Sequence, residues 1–161
     1  MASVRAHLWF GNNKAAEAAE FYAQHIPNSS VDRVLTAPEG VPDVEPGVPF
    51  VVEFTVAGMP VVGLSAGPNF TLDEAFSFYL LVDTQEEVDR YWEALTSGGG
   101  EPGPCGWCKD RFGVSWQVIP KRLEELCGDY STEANKRAMN AMLKMGKIDI
   151  AALEAAYRGE G

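Results

Sequence analysis

From Arg5 to Phe10 apolar and polar positions alternate, so Ala6, Leu8 and Phe10 face one way and Arg5, His7 and Trp9 the other; this predicts a strand over residues 4–10. The period then lengthens. Ala16, Ala19, Phe21, Tyr22 and Ala23 are available for burial on a helix from about 14 to 25, with Asn12 or Asn13 placed to cap it and Pro27 to close it. A second strand is expected over Ser30–Thr36. The stretch from Ala37 to Pro49 carries four prolines and three acids, too irregular for any element, and reads equally as a plain surface loop or as a flap over a cleft. Strands over Phe50–Val56 and Pro60–Ala66 follow, joined by a tight turn at Ala57–Met59.

The same order then recurs. A strand over Phe76–Val82 leads to a helix capped by Asp83 or Thr84, which buries Val88, Tyr91, Trp92 and Leu95 and is stopped by Gly98–Gly100. Short strands at Glu101–Pro102, Gly106–Lys109 and Val114–Ile119 complete the unit, with a hairpin turn at Asp110–Gly113 and with Phe112 and Trp116 assigned to turn and core. HLWFGNNKAAEAAEFY from His7 and SFYLLVDTQEEVDRYW from Ser77 keep an offset of 70 residues without a gap. The chain therefore reads as α+β: two βαβββ modules, residues 1–71 and 72–120, with a helical extension over 121–161. The extension is expected to form helices at Lys121–Cys127, Thr132–Lys144 and Asp149–Arg158, capped by Ser131 or Thr132 and by Asp149. Its stripe of Ala138, Met139, Met142, Leu143, Ile148, Ile150 and Leu153 is a packing face for a docked tail or a dimer contact.

Composition narrows the function. At 161 residues a full hydrophobic core is available. A formal charge of -10, without a basic patch, excludes nucleic acid as an expected partner. The longer apolar stretches are interrupted by Glu53, Gly58 or Gly63, so no membrane span and no export signal are expected. Three cysteines, an odd number, fit a reducing compartment, and the cytoplasm is the expected location.

Paired βαβββ modules of this form resemble the vicinal oxygen chelate superfamily, which includes glyoxalase I, extradiol dioxygenases and bleomycin-resistance proteins. More narrowly, HLWF at 7–10, EFY at 20–22, CGW at 105–107, KDRFGVSWQVIP at 109–120 and AMLKMGKIDIAALEAAY at 141–157 resemble its PhnB-like subgroup, labelled 3-demethylubiquinone 3-methyltransferase-like. The resemblance implies a curved-sheet trough between modules and a homodimer. It also implies a metal site with one ligand from the first and one from the last strand of each module. Those positions here are His7, Gly63 (register uncertain by one), Ser77 and Gln117. Only His7 is a firm ligand, Gln117 offers an amide oxygen, and a catalytic divalent site wants three firm protein donors. A degenerate metal site is therefore expected, with His7 and Gln117 its weak candidates.

If Val52 and Phe54 pack on the helix, Glu53 projects into the same trough as His7, making these two the candidate catalytic residues as an acid-base pair or as metal ligands. The alternative is a buried pair satisfying each other's hydrogen bonds. His25, at a helix end, reads as a surface or cap residue. Cys105-Gly-Trp-Cys108 leads into a strand and lacks the helix N-terminus that activates a redox thiol, so Cys105 is assigned to the trough mouth. Gly98–Gly100 follows a helix, whereas S-adenosylmethionine enzymes of the doubly wound class need glycines between strand and helix. Neither methyl transfer nor the phosphonate chemistry that the PhnB name evokes gains support. What remains is a small-molecule pocket lined by His7, Trp9, Glu53, Ser77, Tyr79, Trp107 and Gln117. The rival readings are a divalent-metal-dependent lyase, isomerase or dioxygenase, and a structural or interaction dimer without catalysis.

Overall fold

The computed structural model describes residues 1–160; Gly161, the last residue of the expected extension, lies outside them. The chain forms two compact units, Met1–Asp73 and Glu74 onward. In the first, β1 (Ala6–Trp9), α1 (Ala15–His25), β2 (Ser30–Thr36), β3 (Pro49–Val56) and β4 (Met59–Leu64) build a four-stranded sheet in the order β1-β4-β3-β2. The second contains β5 (Phe78–Val82), α2 (Gln85–Thr96), β6 (Glu101–Pro102), β7 (Trp107–Lys109) and β8 (Ser115–Pro120), in the order β5-β8-β7-β6. In each unit the first strand runs parallel to the fourth, and the remaining pairs are antiparallel. The βαβββ repeat thus holds at the level of strand order and direction.

Alternation decides which face each strand gives to its helix. Leu8, Phe10, Val52, Phe54 and Val61 are buried with Tyr22 of α1, while His7 is exposed. On α1 the buried residues are Ala15, Ala18, Ala19, Phe21 and Tyr22, so Ala18 replaces Ala16 and Ala23 on the packed face. The start of α1 also differs from the expected asparagine cap. Ser65 Oγ, arriving from the segment after β4, accepts from Ala15 N at 3.1 Å, while Asn12 turns to Lys14 N and Asn13 to Gly67 N. A cap contributed from 50 residues away leaves no local signature. The β3-β4 hairpin closes through Ala57 (φ 46°) and Gly58 (φ 87°), the left-handed pair that two-residue hairpins need. The loop after β2 is tied by Ala37 N to Val48 O and Gly47 N to Ala37 O, and its Asp43, Val44 and Glu45 overhang a cavity of about 320 Å³ at Asn13, Glu17 and Ser65.

In the second unit Thr84 caps α2 by accepting from Glu87 N, and Val88, Tyr91 and Leu95 pack on the face formed by Phe78, Leu80, Trp116 and Val118. The extension follows β8 without a break: α3 (Lys121–Cys127), α4 (Glu133–Met142), capped by a Thr132–Asn135 capping box, and α5 (Ile150–Tyr157), capped by Asp149. Ile119, Leu123, Leu126, Cys127, Ala138, Ile148 and Leu153 form its own core, with Met139 and Met142 against it. Burying side chains of this size stabilises by about 1.5–3 kcal/mol each. Leu143 departs from the expected stripe and is 56% exposed, because α4 ends at Met142 and the chain turns there.

Candidate functional site

The seven residues expected to line one trough divide between the units. In the first, register places His7 and Glu53 each opposite Val62, in a row across β1, β4 and β3 and on the face turned away from α1. Two strand spacings separate them, roughly 10 Å. The Glu53 carboxylate is engaged by Arg5 at 2.9 Å and approached by Arg33 at 3.8 Å, so its charge is answered by guanidinium groups. Trp9 shares this face; its indole donates to Gly67 O at 2.9 Å and its ring stands edge-on to Phe70. Gly63, carried over as a ligand position, points the other way. A Cβ there would meet Ala15, Phe10 and Phe54 at 3.0–3.3 Å, so Val62, not Gly63, stands on the face of His7 and Glu53.

In the second unit the four remaining residues come together. Tyr79 of β5 and Trp107 of β7 both pair with Gln117 of β8, giving an aromatic–amide–aromatic row on the face opposite α2. Gln117 Nε2 donates to Ser77 Oγ at 3.0 Å, which fixes the amide in the row. The other wall comes from the extension. Leu123, Glu124 and Cys127 of α3, with Tyr130, Met142 and Leu143, close a cavity of about 520 Å³ together with Tyr79, Cys105, Trp107, Gln117 and Ile119. The Tyr79 hydroxyl donates to Glu124 Oε2 at 2.9 Å and bridges sheet to helix. Partial burial, then that bond, pushes the phenol well above its ordinary value, so Tyr79 stays a neutral donor.

The Cys105–Cys108 segment acts as a docking turn. Cys105 has φ 59° and Gly106 φ 83°, and their amides donate to Met145 O and Gly146 O, both at 2.8 Å, which sews the extension to the sheet. A Cβ on Gly106 would lie 2.9 Å from Ile119 and 3.1 Å from Ile148. Cys105 lines the cavity, whereas Cys108 lies in the row of Trp116, 4% exposed. Burial and then Asp110 push the Cys108 thiol up to about 12, the opposite of an activated thiolate.

Of the seven expected trough residues, Tyr79, Trp107 and Gln117 line this cavity and His7, Trp9, Glu53 and Ser77 do not; Glu124, Cys127 and Tyr130 were not expected there. Alternation along the strands exposes Tyr79, Trp107 and Gln117. Nothing local says which helix covers them.

Residues 2–119 match the family described as 3-demethylubiquinone-9 3-methyltransferase. The chain belongs to that family. Among solved structures, the PhnB protein of Bacillus cereus, which carries the same methyltransferase name, is similar at 27% identity and TM-score 0.63, over 74% of this chain and 99% of that one. Protein PA1353 from Pseudomonas aeruginosa shares 22% identity and a TM-score of 0.58, over 73% of this chain and 98% of its own. The fosfomycin resistance protein FosX of Listeria monocytogenes shares the fold at 16% identity and TM-score 0.50, over 74% of this chain and 93% of its own. No curated protein matches the sequence. The fold is glyoxalase-like, as the duplicated modules imply. The family match stops at residue 119, so the segment over 141–157 and the helices that wall the cavity lie beyond it.

The family's methyltransferase name implies S-adenosylmethionine, and the glycine cluster does not fit it. Gly98 (φ 60°) and Gly99 (φ 104°) come just after α2 and turn the chain toward β6. A Cβ on Gly98 would collide with the Arg111 guanidinium, and one on Gly100 with Leu95 O, so these glycines serve close packing within the unit. Among the described residues no group of three His, Cys, Asp or Glu side chains could hold a metal ion. Nor is any described helix long and apolar enough to cross a membrane.

Proposed function

We propose that this PhnB-like protein binds a small molecule in the second-unit cavity and has a degenerate metal site. One observation carries the reading: Tyr79, Trp107 and Gln117, aligned by register on a sheet face that faces no helix of the βαβββ repeat, line a cavity of about 520 Å³ walled by the extension. That volume suits a drug-sized molecule, and aromatic walls with a few placed polar groups are how such pockets orient ligands. Ser77 supports the site by holding Gln117. His7, Trp9 and Glu53 are left as a second polar face, where Arg5 takes the Glu53 carboxylate from any general-base role. A homodimer remains part of the proposal on the strength of the family resemblance, and the cytoplasm on the odd cysteine count; sedimentation of the purified protein tests the dimer.

A fragment screen by amide-detected NMR on the full chain tests the binding reading. Hits that perturb Tyr79, Trp107 and Gln117 together, and that are lost in Trp107→Ala, are the expected result. A screen whose hits all map elsewhere, or that yields none, overturns it.

A further inference from the structure

The cavity wall carries one charged side chain, Glu124, and no Lys, Arg or His. Four basic residues of the same unit are paired away from the wall, Lys109 with Glu74, Lys121 with Asp83, Arg122 with Glu125 and Glu154, and Lys147 with Asp89, while Lys144, next to the lining residue Leu143, is exposed and is not part of the wall. Tyr79, Trp107 and Tyr130 line the same cavity, with the Tyr79 hydroxyl on the carboxylate, and Ile119, Leu123 and Met142 supply apolar surface. The two outer aromatics are about half-exposed, Tyr79 at 47% and Tyr130 at 54%, so apolar area remains for a ligand to cover.

We infer that the ligand is a monocation with an apolar or aromatic body, such as a substituted ammonium compound, and not a phosphonate, phosphate or carboxylate. This rests on the small-molecule reading above and adds the charge of the ligand to it. An anion entering this cavity would find no cationic side chain on its wall and would face Glu124, in a chain of net charge -10. An ammonium group gains twice. It pairs with the carboxylate, whose second oxygen is not used by the 2.9 Å bond from Tyr79, and its charge is attracted by the electron-rich faces of tryptophan and tyrosine. Tyr79 contributes by positioning: its hydroxyl holds Glu124 at the sheet, so the charge stands at the cavity rather than swinging into solvent.

Three probes of matched shape separate the charge from the fit: benzyltrimethylammonium, its neutral carbon isostere neopentylbenzene, and benzylphosphonate. Each is titrated into the full chain and followed at the Trp107 indole and Gln117 side-chain amide resonances. The cation should bind about tenfold more tightly than the neutral isostere, the phosphonate should be the weakest, and Glu124→Gln should cut the cation's advantage to about twofold or less. Glu124 is an exposed position on α3, so the variant should keep the wild-type melting temperature, and its binding of the neutral probe reports that the cavity is intact. Equal affinity for cation and isostere, tighter binding of the phosphonate, or a cation advantage that survives Glu124→Gln would each overturn the ligand class while leaving a small-molecule site standing. If none of the three perturbs the cavity resonances, the charge inference falls; the fragment screen then decides whether the site falls with it.

Discussion

Asp110 shows how much one side chain can hold. Asp110 is 2% exposed; its Oδ1 accepts from Phe112 N at 2.9 Å and Val114 N at 3.0 Å, and its Oδ2 accepts from Trp116 Nε1 at 2.9 Å. Removing it strands three buried donors, each of which costs free energy when left without a partner. Asp110→Ala should lower unfolding stability by about 3 kcal/mol. Asp110→Asn, which keeps an acceptor for the two amides, should cost about half of that, measured as urea midpoints at unchanged slope. Its neighbour Cys108 makes a pH prediction. With its thiol pushed up to about 12 from an ordinary 9.0, the folded state keeps the proton that the unfolded chain loses first. That contribution is intact below about pH 9 and is lost as pH rises toward 12. Cys108→Ala should flatten the alkaline fall in stability across that window, read from urea midpoints at stepped pH. In the same native protein iodoacetamide should label Cys105 ahead of Cys108 and Cys127, which are both buried; peptide mapping after a short exposure at pH 8 checks the order.

At the scale of elements, the extension depends on contacts outside its own helices. Gln85, the first residue of α2, uses both ends of its amide: Nε2 donates to Ile148 O at 2.9 Å and Oε1 accepts from Ile150 N at 2.8 Å, which clamps the start of α5. Helices of eight to twelve residues are marginal by themselves, so α5, with eight residues, relies on this clamp, on the Cys105–Gly106 turn and on the burial of Leu153. Gln85→Ala should cost about 1–2 kcal/mol. It should also raise amide exchange over Ile148–Leu153 more than over β5 or β8, measured by hydrogen exchange with mass spectrometry. Uniform exchange across the second unit would show that the clamp is not local.

For the whole molecule, the donor inventory makes a prediction independent of any ligand. Of the inherited metal positions, His7 is exposed, Val62 stands where Gly63 was expected, and Gln117 is tied to Ser77. Protein purified without chelator should hold well below one equivalent of zinc, nickel, iron or manganese by elemental analysis, and added manganese should leave the melting temperature unchanged. Near-stoichiometric metal that disappears in His7→Ala would promote the metalloenzyme reading instead.

The sequence by itself determined the two modules, because strand alternation, helical spacing and turn glycines are local signals that recurred at a constant offset. Ser30–Thr36 and Lys121–Cys127 could be read to the residue for that reason. It also determined which side chains leave the helix-facing side of each strand, hence Tyr79, Trp107 and Gln117 on one side and Trp116 on the other. Only the tertiary structure decided what each exposed group meets. Ser65 rather than an asparagine serves the start of α1, Arg5 rather than His7 takes Glu53, and Leu143 is left at the surface. It also decided that α3 brings Glu124 to Tyr79, giving the cavity its single charge. The physical reason is range: a period of two or 3.6 residues is set by the backbone and is written along the chain. A contact between residues 45 apart, such as Tyr79 with Glu124, exists only once packing has chosen which surfaces meet.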